Sequence, residues 1–114
     1  MTTIVISRDN KNSYRYLTCM GHAGYGRRRL FGYEPDILCA AVSALVEGTL
    51  NSLEELGHEE LEVSSNEETG FIRCKFPEQM HENSVFLIDS LIFNLENLSR
   101  EYGQQYLQVH FEEV

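Results

Sequence analysis

A continuous stretch of small and apolar residues, 36–56, places the strongest constraint on the fold of this chain. It reads DILCAAVSALVEGTLNSLEEL and has no charged residue between Asp36 and Glu47. Its first half is apolar on nearly all sides, which is typical of a helix that is buried on several sides. We therefore predict a central helix that starts at the N-cap Asp36 and stops at Gly57.

Five further segments have the composition or the alternation of β-strands. They are residues 4–6, 14–20, 61–64, 71–76 and 106–111. The first two flank a polar turn-forming run, and the next two flank a turn that ends in Gly70, so each pair predicts a hairpin. The second hairpin follows the central helix.

A second helix is predicted by an apolar stripe that ends before Gly103. Its members are Ile88, Leu91, Ile92, Leu95, Leu98 and Tyr102. The element order ββαββαβ predicts an α+β fold in which both helices pack on one face of a mixed sheet of about five strands. With 114 residues, the chain has the length of a single domain, residues 1–114.

Charge is divided unevenly along the chain. Residues 1–33 hold six Lys/Arg and one Asp (+5), whereas residues 34–114 hold three Lys/Arg and 17 Asp/Glu (−14), which sums to −9. Such an acidic surface repels a phosphate backbone, so direct binding of nucleic acid is disfavoured, although Arg27, Arg28 and Arg29 form one basic cluster. It favours a basic partner, and a merely solubilising surface is the open alternative.

The sequence also predicts the compartment. The N-terminus lacks the pattern of a signal peptide, and no stretch approaches the ~20 apolar residues of a membrane span. We therefore expect a cytoplasmic protein without membrane association. Three cysteines, an odd number, are then expected to be thiols.

Cys39 and His22 are the residues with the chemistry of a thiol peptidase. Cys39 lies in the first turn of the predicted helix, where the dipole and the free N–H groups favour a thiolate. An imidazole at the end of the second strand would favour it further, and the amides around Leu38 and Cys39 could hold an oxyanion. The alternatives are an inert buried Cys39 and a His22 that only occupies a turn.

Asp36 and Ser43 have two interpretations each. Asp36 is the N-cap of the helix and could in addition orient His22 or the substrate. Ser43, one turn after Cys39, could hydrogen-bond into the site or be a small packing residue. A metal site is not expected, because Cys19, Cys39 and Cys74 form no paired C-x-x-C pattern, and no cofactor is implied.

The segments Gly21-His22-Ala23 and Asp36-Ile37-Leu38-Cys39-Ala40-Ala41-Val42-Ser43 resemble the ribosomal-processing cysteine protease family. The likeness covers nearly the whole chain. It implies a homodimeric cytoplasmic peptidase that removes the N-terminal extension of a basic large-subunit ribosomal protein during ribosome assembly. It also implies Cys39 as nucleophile, His22 as base, supporting positions at Asp36 and Ser43, and apolar pockets beside Cys39.

The chain departs from that family between Gly24 and Pro35, where it is longer and carries the arginine cluster. Since this segment joins the two site residues, we predict a loop that folds over the substrate, with glycines permitting the movement. The predicted substrate loop comprises Gly21, Ala23, Gly24, Arg27, Arg28 and Arg29.

A second class of function is consistent with the same composition. The chain could be a non-catalytic module that binds a basic ribosomal protein or, through its arginine cluster, rRNA. A cysteine and a histidine brought together in one site would distinguish the peptidase from the module.

Overall fold

A computed structural model of the chain describes residues 1–22, 27–29, 32–34 and 36–114, with the backbone alone in the two short segments. The predicted succession of strands and helices is confirmed, and two short strands are added. The elements are β1 (Thr2–Arg8), β2 (Tyr14–Met20), β3 (Arg27–Arg29), β4 (Gly32–Glu34), α1 (Ile37–Glu55), β5 (Glu62–Asn66), β6 (Phe71–Lys75), α2 (Glu82–Tyr102) and β7 (Leu107–Glu113).

The main sheet has five strands in the order β5-β6-β2-β1-β7. Both predicted hairpins are present, since β1 pairs with β2 and β5 pairs with β6, each antiparallel. Antiparallel pairing of β2 with β6 joins the two hairpins, and β7 adds to β1 in parallel. The α+β fold with a mixed five-stranded sheet is therefore confirmed.

One face of this sheet carries the hydrophobic core. Ile4 lies opposite Cys19, and Ile6 lies opposite Leu17, so these buried side chains share one face. They belong to one cluster with Leu38 of α1 and other apolar residues of both helices. Both helices therefore cover the same face, as predicted.

The expectation that α1 is buried on several sides is wrong. The helix buries one row, Leu38, Val42, Val46, Leu50 and Leu53. Ala40 and Ala44 lie outside that row and are exposed, and Ile37 is 53% exposed. Alanine is common in helices whether buried or not, because it has the highest helix propensity, so a run of small residues does not require a neighbour on every side.

By length and composition, α1 is apolar enough to cross a membrane, contrary to the expectation that no stretch of the chain is. Core helices can pass the same test. The buried row of α1 packs against the sheet, and α1 also contacts α2. The residues of this buried row thus have partners within the fold.

Gly57 permits a close approach between the end of α1 and the start of α2. A Cβ at this position would lie 2.7 Å from Ser84 Oγ and 2.8 Å from the carbonyl oxygen of Leu53. The left-handed backbone conformation after α1 lies one residue later, at His58, with φ of 53°. Gly57 is therefore required by packing, and not by its own φ.

Replacing Gly57 by Ala is expected to lower stability by about 1–3 kcal/mol, because the added methyl group overlaps a backbone carbonyl. Gly48→Ala is the matched control, since a Cβ there would meet nothing within 4 Å. That control is expected to stabilise α1 by about 0.5–1 kcal/mol. Thermal unfolding followed by circular dichroism checks both values, and equal midpoints for the two variants would contradict the packing explanation.

The predicted long loop contains regular structure. The backbone of Arg27–Arg29 pairs antiparallel with that of Gly32–Glu34 in a separate two-stranded sheet. Loop composition missed this hairpin because three-residue strands give no measurable alternation. Ala23, Gly24 and Gly26 lie outside the described residues. That this loop folds over the substrate therefore stays a prediction.

Candidate active site

The N-terminus of α1 is closed by Asp36, as the N-cap interpretation predicts. Asp36 Oδ1 accepts a 2.8 Å hydrogen bond from the backbone N–H of Cys39, and the Asp36 carbonyl accepts one from Ala40. The expectation that the Cys39 amide is available to an oxyanion is wrong for this structure, because that N–H is already donated to a carboxylate. Asp36 supports the turn that carries the thiol.

His22 lies just beyond the end of β2, after a turn at Gly21. Gly21 has φ of +85°, and a Cβ there would lie 2.5 Å from the Met1 carbonyl oxygen. Only glycine fits this conformation and this close approach. The turn brings the exposed imidazole of His22 to the start of α1.

The thiol and the imidazole meet across this junction. Cys39 Sγ lies 3.6 Å from His22 Nδ1, which is within hydrogen-bond range for sulfur. Cys39 is half-buried, so its sulfur is shielded and still accessible. The two residues singled out from the sequence are thus brought together by the fold, from positions 17 residues apart.

The other nitrogen of His22 contacts a group that the sequence did not reveal. Its Nε2 lies 3.3 Å from the backbone carbonyl oxygen of Glu68, in the turn between β5 and β6. The sequence predicted this turn, but its position beside His22 depends on the pairing of β6 with β2. No local pattern encodes that pairing.

A cavity of about 230 Å³ opens beside the pair. Apolar side chains line part of it, in line with the apolar pockets that the family resemblance implies. Glu47 and Glu67 add two carboxylates. The other lining residues include Thr2, Cys19, Gly21, Val42, Ser43, Ser65, Asn66, Gly70, Phe71 and Ile72.

Ser43 and Gly21 both line this cavity with Cys39 and His22. Ser43 is half-buried one turn after Cys39, so its hydroxyl is placed to reach a ligand there. Gly21 is a member of the predicted substrate loop that lies in this site. The backbone of Arg27, Arg28 and Arg29 forms β3. Ala23 and Gly24 fall outside the described residues.

Cys19 and Cys74 differ from Cys39 in being buried. Desolvation raises the pKa of the Cys19 thiol to about 11, and that of Cys74 to about 12. Both thiols stay protonated at neutral pH and are poor nucleophiles. Burial, helped by a hydrogen bond to Asp89, also raises the pKa of Tyr14 to about 12.

These raised pKa values predict a loss of stability at alkaline pH. The folded chain holds the two thiol protons more tightly than the unfolded chain, whose cysteines titrate near 9.0. The stabilisation is complete below pH 9 and is lost as the pH rises through 11 to 12. It is worth on the order of 1–3 kcal/mol per thiol.

Unfolding midpoints measured between pH 7 and 12 check this expectation. The double variant Cys19→Ala/Cys74→Ala is expected to show a shallower alkaline decline than the wild type, with Tyr14 accounting for part of what remains. An unchanged slope in the double variant would show that the thiols do not contribute.

Within residues 1–22 and 36–114, no three His, Cys, Asp or Glu side chains are grouped so that they could hold a metal ion. His22 instead has Cys39 at one nitrogen and the Glu68 carbonyl at the other. A pair of this kind is suited to moving a proton between sulfur and nitrogen.

Comparison with known proteins agrees with this geometry. The sequence model of the family described as Cysteine protease Prp matches residues 1–107. The Ribosomal processing cysteine protease Prp of Bacillus subtilis (strain 168) is 26% identical over 106 residues, covering 90% of each chain. That of Staphylococcus aureus (strain Mu50 / ATCC 700699) is 21% identical over 104 residues, covering 91% of this chain and 93% of the relative.

The fold is shared with a solved structure of such a protease. The crystal structure of Prp from S. aureus with a covalently linked product peptide superposes with a TM-score of 0.84 at 19% identity, covering 98% of this chain and 100% of that one. Identity this low supports the fold alone, whereas the family match extends over residues 1–107, from β1 to the first residue of β7. The chain therefore belongs to the cysteine protease Prp family.

Proposed function

We propose that this protein is a cytoplasmic endopeptidase that removes the N-terminal extension of a large-subunit ribosomal protein before or during ribosome assembly. The proposal is carried by the 3.6 Å approach of Cys39 Sγ to His22 Nδ1 beside a cavity. Relatives from two bacteria are named for ribosomal processing, and the S. aureus structure holds a covalently linked product peptide. A peptide substrate and covalent catalysis fit both observations.

In the proposed reaction, His22 Nδ1 takes the proton of the Cys39 thiol, and the thiolate attacks the scissile carbonyl carbon. The tetrahedral intermediate collapses when the C–N bond breaks and His22 returns the proton to the leaving amine. Water, deprotonated by His22, then hydrolyses the thioester and regenerates Cys39. No redox step or cofactor is needed.

The start of α1 supplies electrostatic support for this chemistry. Negative charge develops first on the thiolate and then on the oxyanion, and both lie near the positive end of the α1 dipole. Asp36 holds the first turn through the Cys39 amide. Its proposed role is therefore to position the nucleophile's backbone.

The charge distribution supports a basic substrate. Residues 34–114 carry a formal charge of −14, and Glu47 and Glu67 line the cavity itself. A ribosomal protein precursor rich in Lys and Arg would be attracted to this surface, more strongly at low salt. The same acidity disfavours binding of rRNA, so a non-catalytic rRNA-binding module is not favoured.

We include a homodimer in the proposed function. Phe86 and Phe93 are two turns apart on α2 and are 71% and 64% exposed. Two phenylalanine rings on one exposed strip are typical of an interface. The double variant Phe86→Ser/Phe93→Ser is expected to sediment as a monomer and the wild type as a dimer; a wild-type monomer, or an unaffected dimer, would contradict this assignment.

Incubation with a ribosomal protein precursor from the same organism tests the activity. Mass spectrometry is expected to find one cut that releases the N-terminal extension from the mature protein. A mature ribosomal protein that lacks the extension serves as the control and is expected to stay intact. If the precursor also stayed intact, the proposed function would be wrong.

A further inference from the structure

The turn between β5 and β6 contacts His22 on the side away from Cys39. The Glu68 carbonyl oxygen lies 3.3 Å from Nε2. Gly70 brings the backbone of the turn against the same residue, since a Cβ there would lie 3.1 Å from His22 Cε1 and 2.6 Å from the Gly21 carbonyl oxygen. Its φ of +67° also favours glycine. The imidazole is thus held between this turn and the first turn of α1.

This contact determines which nitrogen of the neutral imidazole carries the proton. A backbone carbonyl only accepts hydrogen bonds, so Nε2 must be the donor to Glu68. The lone pair then lies on Nδ1, which faces Cys39 Sγ at 3.6 Å. The Nε2–H tautomer is the one in which His22 can take a proton from Cys39.

A local hydrogen bond fixes the carbonyl that makes this contact. Asn66 Oδ1 accepts a 3.0 Å hydrogen bond from the Glu68 N–H. Weaker bonds run from Thr69 Oγ1 to the Asn66 carbonyl and from the Gly70 N–H to the Glu67 carbonyl. Because β5 is exposed along its whole length, side-chain packing contributes little. The backbone pairing of Asn66 with Phe71 closes the hairpin, and within the turn the Asn66 side chain holds the Glu68 amide.

We propose that Asn66 is a positioning residue for the thiol–imidazole pair. By fixing the Glu68 amide, it aims the Glu68 carbonyl at His22 Nε2 and keeps the imidazole in the tautomer with its lone pair on Nδ1. Asn66 acts through His22; because it also lines the cavity, a direct effect on substrate binding would appear as a change in KM. The effect on catalysis rests on the proposed function, whereas the effect on the tautomer does not.

The test compares Asn66→Ala, Asn66→Asp and Ser64→Ala in the full chain. Asn66→Ala removes the accepting oxygen and is expected to lower kcat by about 10- to 100-fold with little change in KM. A loss of this size is typical when a group that orients a functional histidine is removed. Asn66→Asp keeps an accepting oxygen at that position and is expected to retain most of the wild-type kcat. Ser64→Ala, on the same exposed strand and outside the cavity, is expected to behave as wild type.

Two readouts separate positioning from a structural effect. Long-range ¹H–¹⁵N correlation spectra of His22 are expected to show the Nε2–H tautomer in wild type and in Asn66→Asp, and a mixture of tautomers in Asn66→Ala. The rate of Cys39 alkylation by iodoacetamide is expected to fall in Asn66→Ala alone. Both readouts are substrate-free, so they hold even if the precursor is not cleaved.

Wild-type kcat and an unmixed Nε2–H tautomer in Asn66→Ala would overturn the proposal. Should Asn66→Ala fail to fold, Gly70→Ala tests the same contact by forcing the turn away from Gly21 and His22. It is expected to mix the tautomers in the same way. A pure Nε2–H signal in that variant would equally overturn the proposal.

Discussion

Cys39→Ala is expected to lower cleavage of the ribosomal protein precursor by about 10⁶-fold, to below detection, because it removes the attacking atom. The fold is expected to survive. Cys39 is only half-buried, and alanine has the highest helix propensity, so the change in stability is expected to stay within about 1 kcal/mol. Product analysis by mass spectrometry and the thermal midpoint together check this expectation.

Cys74→Ala is the matched control for a lost thiol. Cys74 is buried in β6 and does not line the cavity beside His22. This variant is expected to cleave the precursor at the wild-type rate while losing some stability from the small void that remains. Residual cleavage by Cys39→Ala comparable to that of Cys74→Ala would rule out Cys39 as the nucleophile.

His22→Ala is expected to lower kcat by about 10²–10⁴-fold at neutral pH, because the thiol loses the base at 3.6 Å. The deficit is expected to shrink as the pH rises. Hydroxide in solution becomes more abundant as the pH rises and can then replace the missing imidazole as the base. Single-turnover rates measured from pH 6 to 9 check both statements.

His110→Ala is the control for the loss of an imidazole, since His110 is exposed on β7 and lies outside the cavity. Wild-type kinetics are expected for this variant. A His22→Ala deficit that stayed constant from pH 6 to 9 would argue that His22 shapes the site without exchanging a proton with Cys39.

Local sequence patterns predicted most of the secondary structure because each depends on neighbouring residues. Asp36 is the N-cap that its position indicated, and the stripe through Ile88 and Leu95 is buried on α2. The α2 helix begins at Glu82, six residues before that stripe. Its first three residues are polar, and Val85, Phe86 and Leu87 are consecutive, so these positions by themselves show no helical spacing. The hairpin β3–β4 was missed for a related reason, since its strands are too short.

Other features depended on neighbours that are distant in the chain. Small residues of α1 are exposed where burial was expected, because their environment depends on which elements pack beside them. Gly57 meets Ser84 of α2, a contact that no local pattern predicts. The Cys39 amide is occupied by Asp36, which the cap assignment implied and the oxyanion expectation overlooked.

The sequence by itself determined the two elements of the site, a strand that ends before His22 and a helix that begins before Cys39. It also indicated their chemistry, because a thiol at a helix N-terminus and an imidazole at a turn carry their properties with them. Only the tertiary structure decided that these groups meet at 3.6 Å and that the Glu68 carbonyl holds the second nitrogen of the imidazole. The first meeting depends on the packing of α1 against the core face of the sheet, and the second on the pairing of β6 with β2; both are long-range contacts that no local pattern encodes.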